Sequence, residues 1–278
     1  MIKIVTDSTC DLPSDLVRQH DIRVIPTAIT IEGRSYRDGV DISRAEFYQR
    51  LPRLRTQPTT SAASVEEFEQ TYRELSSAEI LSIHLGAGLS GVLNAARSGV
   101  EASGVRVTLV DSGQVSMALG WQVIAAAETA AAGGSVQDVL DVIASIQKRV
   151  KLFALLDTLE YLRRGGRASA VITAFGNLLQ IKPLIEVAKS KVTPIARPRT
   201  HAGGMDKIVE VIEKLAPLER LAVIHANNLA AAQALAERVR HCLAPGTKSP
   251  LIVTDATVVV GTHAGPGAVG AAIVPAAT

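Results

Sequence analysis

Aromatic side chains make up only 3% of this 278-residue chain, with a single Trp. So few rings argue against a stacking platform for bases or sugars. Cysteine is nearly absent too: Cys10 and Cys242 lie far apart, outside any CxxC or Cys/His metal spacing. That fits a reducing cytoplasm and implies no structural zinc. Neither sign of charge dominates, with 29 Lys and Arg against 27 Asp and Glu and a net charge of +2. Without a block of like charges, no nucleic-acid partner is expected. No apolar stretch approaches the ~20 residues of a membrane span. The chain enters Ile2–Val5 without a charged leader, so a cytoplasmic protein with no stable membrane insertion is expected.

What is abundant is aliphatic side chain. At 47% hydrophobic residues the chain is long enough and apolar enough for two well-cored domains. Through the first half, apolar runs alternate with helical periodicity, the pattern of a mostly parallel sheet flanked by helices. The spacing predicts strands at Ile2–Val5, Ile22–Ile31, Glu79–His84 and Val105–Val110. Helices are expected after Ser14, Ser43, Ser64, Ser90 and near Ser116, each with a serine available as a cap, and again at Val136–Arg149. Lys151–Leu156 reads as a strand crossing between domains.

The second half reads differently. Pro183–Val187 and Val192–Ala196 flank Ala-Lys-Ser-Lys as a hairpin, so antiparallel pairing is expected there. Helices at Gly204–Leu215 and Leu229–His241, a strand at Leu221–His225, and apolar runs at Leu251–Thr254 and Val258–Val260 complete it. The expected fold class is therefore α/β in two domains, with an N-terminal Rossmann-like parallel sheet and a C-terminal α+β domain with a largely antiparallel sheet. The division is placed at 1–155 and 156–278.

Four small polar clusters end apolar runs: Thr6–Thr9, Pro58–Ser61, Leu89–Gly91 and Gly261–Gly267. In the last, His263 sits among glycines and a proline, where packing gives it little reason to be, and such a loop can present it to a ligand. Ser90 and the Thr59–Ser61 run precede helices and offer hydroxyls and amides to an anion, or else merely cap those helices. Asp7 either orients such hydroxyls or caps the helix near Pro13–His20.

Two decoys compete. Gly86-Ala-Gly-Leu-Ser-Gly91 is a literal GxGxxG with Asp111 downstream, the outline of an NAD site in an oxidoreductase. Gly265–Gly270 matches the same pattern with no room for a βαβ unit, so the pattern is cheap here. Ser90, His263 and Asp7 or Asp111 allow a serine hydrolase acting on lipid or ester substrates, although Val92 breaks the GxSxG elbow.

In order and spacing, these clusters resemble the DegV family of bacterial lipid-binding proteins, which includes the fatty-acid-binding subunit of fatty acid kinase. The resemblance is carried by Thr6–Thr9 with Asp11-Leu-Pro13, Pro58–Ser61, Leu89-Ser-Gly91, Asp111-Ser112, Leu159–Arg167, Ile181-Lys-Pro183 and His263–Gly267. It implies a long-chain fatty acid lodged between the two domains, no cofactor or metal, and no catalytic residue in this chain. Thr60, Ser61, Ser90 and His263 would bind the carboxylate, with Asp7 and Thr262 behind them. Arg167 and Arg199 would meet a separate kinase that makes the acyl phosphate. The chain departs from the family pattern at Ala62, Ala63, Val92 and Ala264, which removes hydroxyls and an aromatic near the expected head group.

Overall fold

The computed structural model describes residues 1–166, 173, 181–247 and 250–277. Its first sheet is parallel throughout, in the order β2-β1-β6-β7, formed by β1 (Ile2–Asp7), β2 (Arg23–Ile25), β6 (Glu79–His84) and β7 (Val107–Asp111). β6 runs buried from Ile80 to His84, as expected of a strand covered on both faces. The helices Val65–Glu74 and Val136–Arg149 each start in a capping box, from Ser64 and Ser135.

Three of the expected serine caps are not caps, and the first of them, Ser14, is itself the opening residue of the helix Ser14–Gln19, behind Pro13. The helix Val92–Ser103 starts from Gly91, which leaves the Ser90 side chain available. Ser116 sits at φ 59°, before the helix Met117–Ala131, and its hydroxyl donates to Asp11 instead. The Ile22–Ile31 run is likewise not one strand. Pro26 lacks the N–H a ladder needs, and the chain breaks there into β2 and β3 (Ala28–Ile31). β3 leaves the first sheet to pair antiparallel with β4 (Arg34–Arg37) and β5 (Thr59–Ser61) in a small third sheet.

The second sheet has the order β10-β9-β8-β13-β11-β12, from β8 (Lys151–Leu155), β9 (Leu184–Ala188), β10 (Lys191–Ala196), β11 (Leu218–His225), β12 (Ile252–Asp255) and β13 (Val269–Pro275). Only β11 and β12 pair in parallel, so the sheet is largely antiparallel. β8 belongs to it, so this sheet starts a few residues ahead of the expected division at 155. The apolar run Val258–Val260 is the first turn of a helix, Val258–Ala264.

Alternation along the strands sends one set of side chains, including Phe153, Leu155, Leu221 and Val223, under the helices His201–Glu213 and Leu229–Val239. The opposite face meets the Ala-rich helix Met117–Ala131, buried continuously from Met117 to Ala127. Small residues Ala222, Gly270 and Ala272 let that helix approach, and the Trp121 indole N–H donates to the Ala272 carbonyl at 3.0 Å. This helix covers the β13 and β11 side. The β8–β9–β10 side faces loops of the first sheet, and there a gap remains.

The β9–β10 turn closes one edge of the gap. Ser190 N–H donates to Gly113 O at 2.7 Å, and its side chain lies against Gly86 and Gly88. A Cβ on Gly86 would fall 2.4 Å from Ser190 Oγ and 2.9 Å from the Gly113 backbone carbon. Gly86→Ala is therefore expected to lower unfolding free energy by roughly 1–3 kcal/mol, the range for overpacking. Urea denaturation measures this, and an unchanged midpoint would show that the contact is loose.

Candidate functional site

The gap is an apolar cavity. Its floor is Leu152, Ala154 and Leu156 on β8 with Ile185, Val187 and Val192 on the hairpin, and its roof includes Leu85, Leu89 and Val115. Val259, Val260 and Leu162 close the sides. Its polar groups are four: Thr9, Thr60, Ser90 and His263. Among the described residues no Lys, Arg, Asp or Glu lines it.

Three of the four residues expected at a carboxylate are thus brought together. Thr60 Oγ1 and His263 Nε2 lie 3.1 Å apart, and Ser90 lines the same cavity. Ser61 is not among them. The two-residue period of β5 turns Ser61 away from the side Thr60 faces, and it is exposed. Its place is taken by Thr9, which the Thr6–Thr9 cluster signalled but which was not singled out. His263 itself is not on a loop. It occupies the last turn of the helix Val258–Ala264, and the glycines follow it, with Gly265 at φ 78° and Gly267 at φ 87°. A Cβ on Gly165 would stand 2.2 Å from His263 Nδ1, so Gly165 packs its bare backbone on the ring.

Behind Thr9 runs a sealed polar chain. Asp7 is fully buried and accepts from Thr9 N–H at 3.1 Å, the Thr9 hydroxyl, His84 Nδ1 at 3.0 Å and Leu85 N–H at 3.0 Å. His84 Nε2 lies 2.7 Å from Ser82 Oγ, which lies 3.0 Å from the Tyr72 hydroxyl. The hydroxyls of Tyr72 and Ser82 thus continue the chain behind His84, whose Nδ1 faces Asp7. Burial alone pushes the Asp7 carboxyl up, but the hydrogen bond and electrostatic pull of His84, with hydrogen bonds from Thr9 and Leu85, outweigh it and hold Asp7 below the ordinary range. Asp7 therefore orients a cavity hydroxyl and does not cap the helix Ser14–Gln19. Thr262, the other residue expected behind the site, is buried with its hydroxyl donating to Val258 O at 2.7 Å, while its carbonyl accepts from Gln57 Nε2 at 2.9 Å.

The chain Ser82–His84–Asp7 has the connectivity of a hydrolase triad, yet all three members are 0% exposed and none lines the cavity. The alternative triad of Ser90 and His263 with Asp7 or Asp111 is not supported, because Asp7 is held by His84 and Asp111 by the amides of Ala87 and Gly113. The NAD reading also loses its ribose residue: Asp111 Oδ1 accepts from Ala87 and Gly113 N–H at 3.2 and 2.9 Å and ties its own loops together. Among the described residues no cluster of metal-ligating side chains occurs, and no helix is long and apolar enough to cross a membrane.

Of the expected partner-facing arginines, Arg199 is exposed between β10 and the helix His201–Glu213, and Arg167 lies outside the described residues. Arg163 and Arg164 are exposed just before it, with Arg164 paired to Glu160.

Two further carboxylates lie under the His263 helix. Asp11 accepts from Thr257 N–H at 2.8 Å and from Ser116 Oγ. Asp38 accepts from Ser8 Oγ at 3.0 Å and lies beside the Val258 N–H. Burial raises both, Asp38 to about 6, against the opposing pull of the Ser8 hydrogen bond and the Arg44 charge.

A three-sheet α/β protein whose cavity is lined by aliphatic chains and ends in hydroxyls and one imidazole is built as a binder of amphipathic small molecules. The chain belongs to the DegV family: the family model, of uncharacterised DegV proteins, matches residues 1–276. A DegV domain-containing protein of Streptomyces coelicolor is 35% identical over 278 residues, covering 98% of both chains. One from Listeria monocytogenes is 31% identical, covering 97% of this chain and 96% of that one. Among solved structures, a DegV family protein from Thermus thermophilus, described as binding fatty acid, superposes with a TM-score of 0.89 at 30% identity, covering 99% of each chain. DegV of Bacillus subtilis, described as a fatty acid binding protein, does so at 0.86 and 29%, again over 99% of each.

Asp38 gives a pH dependence of stability. An acid whose pKa is higher folded than unfolded binds its proton more tightly in the fold, so ionisation costs stability. With 3.8 as the ordinary value and about 6 in the fold, stability falls as pH rises between those values, by about 3 kcal/mol, then levels. Asp38→Asn is expected to flatten that interval and to be the more stable protein at pH 7. Denaturation series from pH 4 to 7 read this, and parallel curves for the two proteins would contradict it.

Proposed function

We propose that this protein binds one long-chain fatty acid, its acyl tail in the cavity and its carboxylate at Thr60, Ser90 and His263, and presents that carboxylate to a separate kinase. The observation that carries the reading is the cavity lining: aliphatic everywhere except for three hydroxyls and one imidazole. Burying about a dozen methylenes at ~0.8 kcal/mol each contributes on the order of 10 kcal/mol before ordering costs, so the tail supplies affinity. Hydroxyls fix direction without an ion pair and leave the head group reactive. The solved relatives from Thermus thermophilus and Bacillus subtilis, both described as binding fatty acid, support the same ligand class.

Thr60, Ser90 and His263 remain half-buried, which keeps the head group reachable from outside. Arg199, with Arg167, would form the surface that meets the kinase. The chain acts in this reading as a carrier in the cytoplasm, with no catalytic step of its own.

Each charge-assisted hydrogen bond contributes about 1.5–3 kcal/mol. The Thr60→Ala/Ser90→Ala double variant is thus expected to bind hexadecanoic acid at least about tenfold more weakly with an unchanged Tm. Equal affinity by calorimetry would remove these hydroxyls from the site. Arg199→Ala is expected to bind lipid normally but to slow acyl-phosphate formation by an added fatty acid kinase, and an unchanged rate would remove Arg199 from the contact surface.

A further inference from the structure

His263 is held in place from the far end of its helix. The segment Val258–Ala264 has no cap of its own, since the Thr257 side chain makes no capping hydrogen bond. Its first amide is received instead by Asp11, which takes Thr257 N–H at 2.8 Å, and Asp38 lies beside the next amide, that of Val258. Asp11 belongs to the turn after β1, at φ 53°, and Asp38 to the turn after β4. Both are buried, at 0% and 4% exposure.

We propose that Asp11 and Asp38 are positioning residues that set where His263 stands at the head-group end of the cavity. A helix of seven residues spans only about 10 Å and moves as a rod, so holding its start fixes its end. Contacts along the rod agree with that. Tyr48 donates to Ala256 O at 3.1 Å, and its hydroxyl fills the space that a Cβ on Gly261 would need, 2.2 Å away. Thr254 Oγ1 donates to the Asp11 carbonyl at 3.1 Å, fixing β12 to the same turn.

Asp11 is also two residues from Thr9, which lines the cavity. One short turn therefore sets Thr9 directly and His263 through the helix, and the distance between these two polar groups is fixed by it. Loss of the Asp11 contact releases the His263 helix while Asp7 still holds Thr9. This inference rests on the fatty-acid reading for its ligand but not for its geometry.

The test is a double-mutant cycle between Asp11→Asn and His263→Ala, read with hexadecanoic acid and its methyl ester. Asn offers one acceptor where Asp11 uses two oxygens, so one hold is lost with little change of shape. Asp11→Asn is expected to lower acid affinity roughly tenfold, a coupling within the range for linked residues, with ester affinity unchanged. In the His263→Ala background it should have no further effect. An equal loss in both backgrounds, or an equal loss for acid and ester, would make Asp11 structural only and overturn the proposal.

Asp38→Asn serves as the second variant should Asp11→Asn fail to fold. A lipid-free readout runs beside both: the His263 Nε2 resonance in imidazole-15N-labelled protein, expected to shift as its contact with Thr60 changes. If the native protein takes up neither lipid, the carrier reading fails while this resonance still decides the positioning. An unmoved resonance in both variants overturns it.

Discussion

Everything at the cavity's polar end depends on carboxylates taken out of water. Asp7 and Asp11 are both 0% exposed, and a buried charge is costly unless hydrogen bonds replace its hydration. The fold supplies these in number. Asp7 receives N–H and O–H donors from Thr9, just after β1, and from His84 and Leu85 at the end of β6, and Asp11 receives them from Ser116 and Thr257, distant in sequence. Each carboxylate thereby joins elements that the chain makes far apart. The turn after β1 becomes the point where the first sheet, the His263 helix and the second sheet are registered.

The cavity itself follows from unequal cover. One half of the second sheet's inner face carries Ala and Gly and accepts the helix Met117–Ala131 closely. The other half carries Leu, Ile and Val opposite loops, and loops do not fill space as a helix does. An apolar gap left between well-packed elements is costly when empty. A flexible hydrocarbon chain is the kind of occupant that such a gap accommodates.

Much of this was legible in the sequence because period and turn chemistry are local. β6 matched its apolar run, the β9–β10 hairpin matched Ala-Lys-Ser-Lys, and the capping box at Ser64 marked its helix. What was not legible depends on partners distant in the chain. Ser64 has Glu67 three residues on, the capping-box signature, and Ser90 has Leu93 there, yet only the structure shows that Gly91 takes the cap position and leaves the Ser90 side chain to the cavity. Val258–Val260 has strand composition but opens a helix whose preceding amide, that of Thr257, is taken by Asp11 from far along the chain. Ser61 and Thr60 look alike as residues, and only the facing of β5 separates them. His84 gave no sign of its tie to Asp7, which assembles a triad-like chain in the core and leaves the cavity without one.

The most direct measurement is native mass spectrometry of the purified protein, followed by denaturation and identification of any molecule carried with it. A single fatty acid bound at a ratio near one per chain is the expected result. A protein that arrives empty and stays empty after incubation with saturated and unsaturated acids of different lengths would contradict the carrier reading.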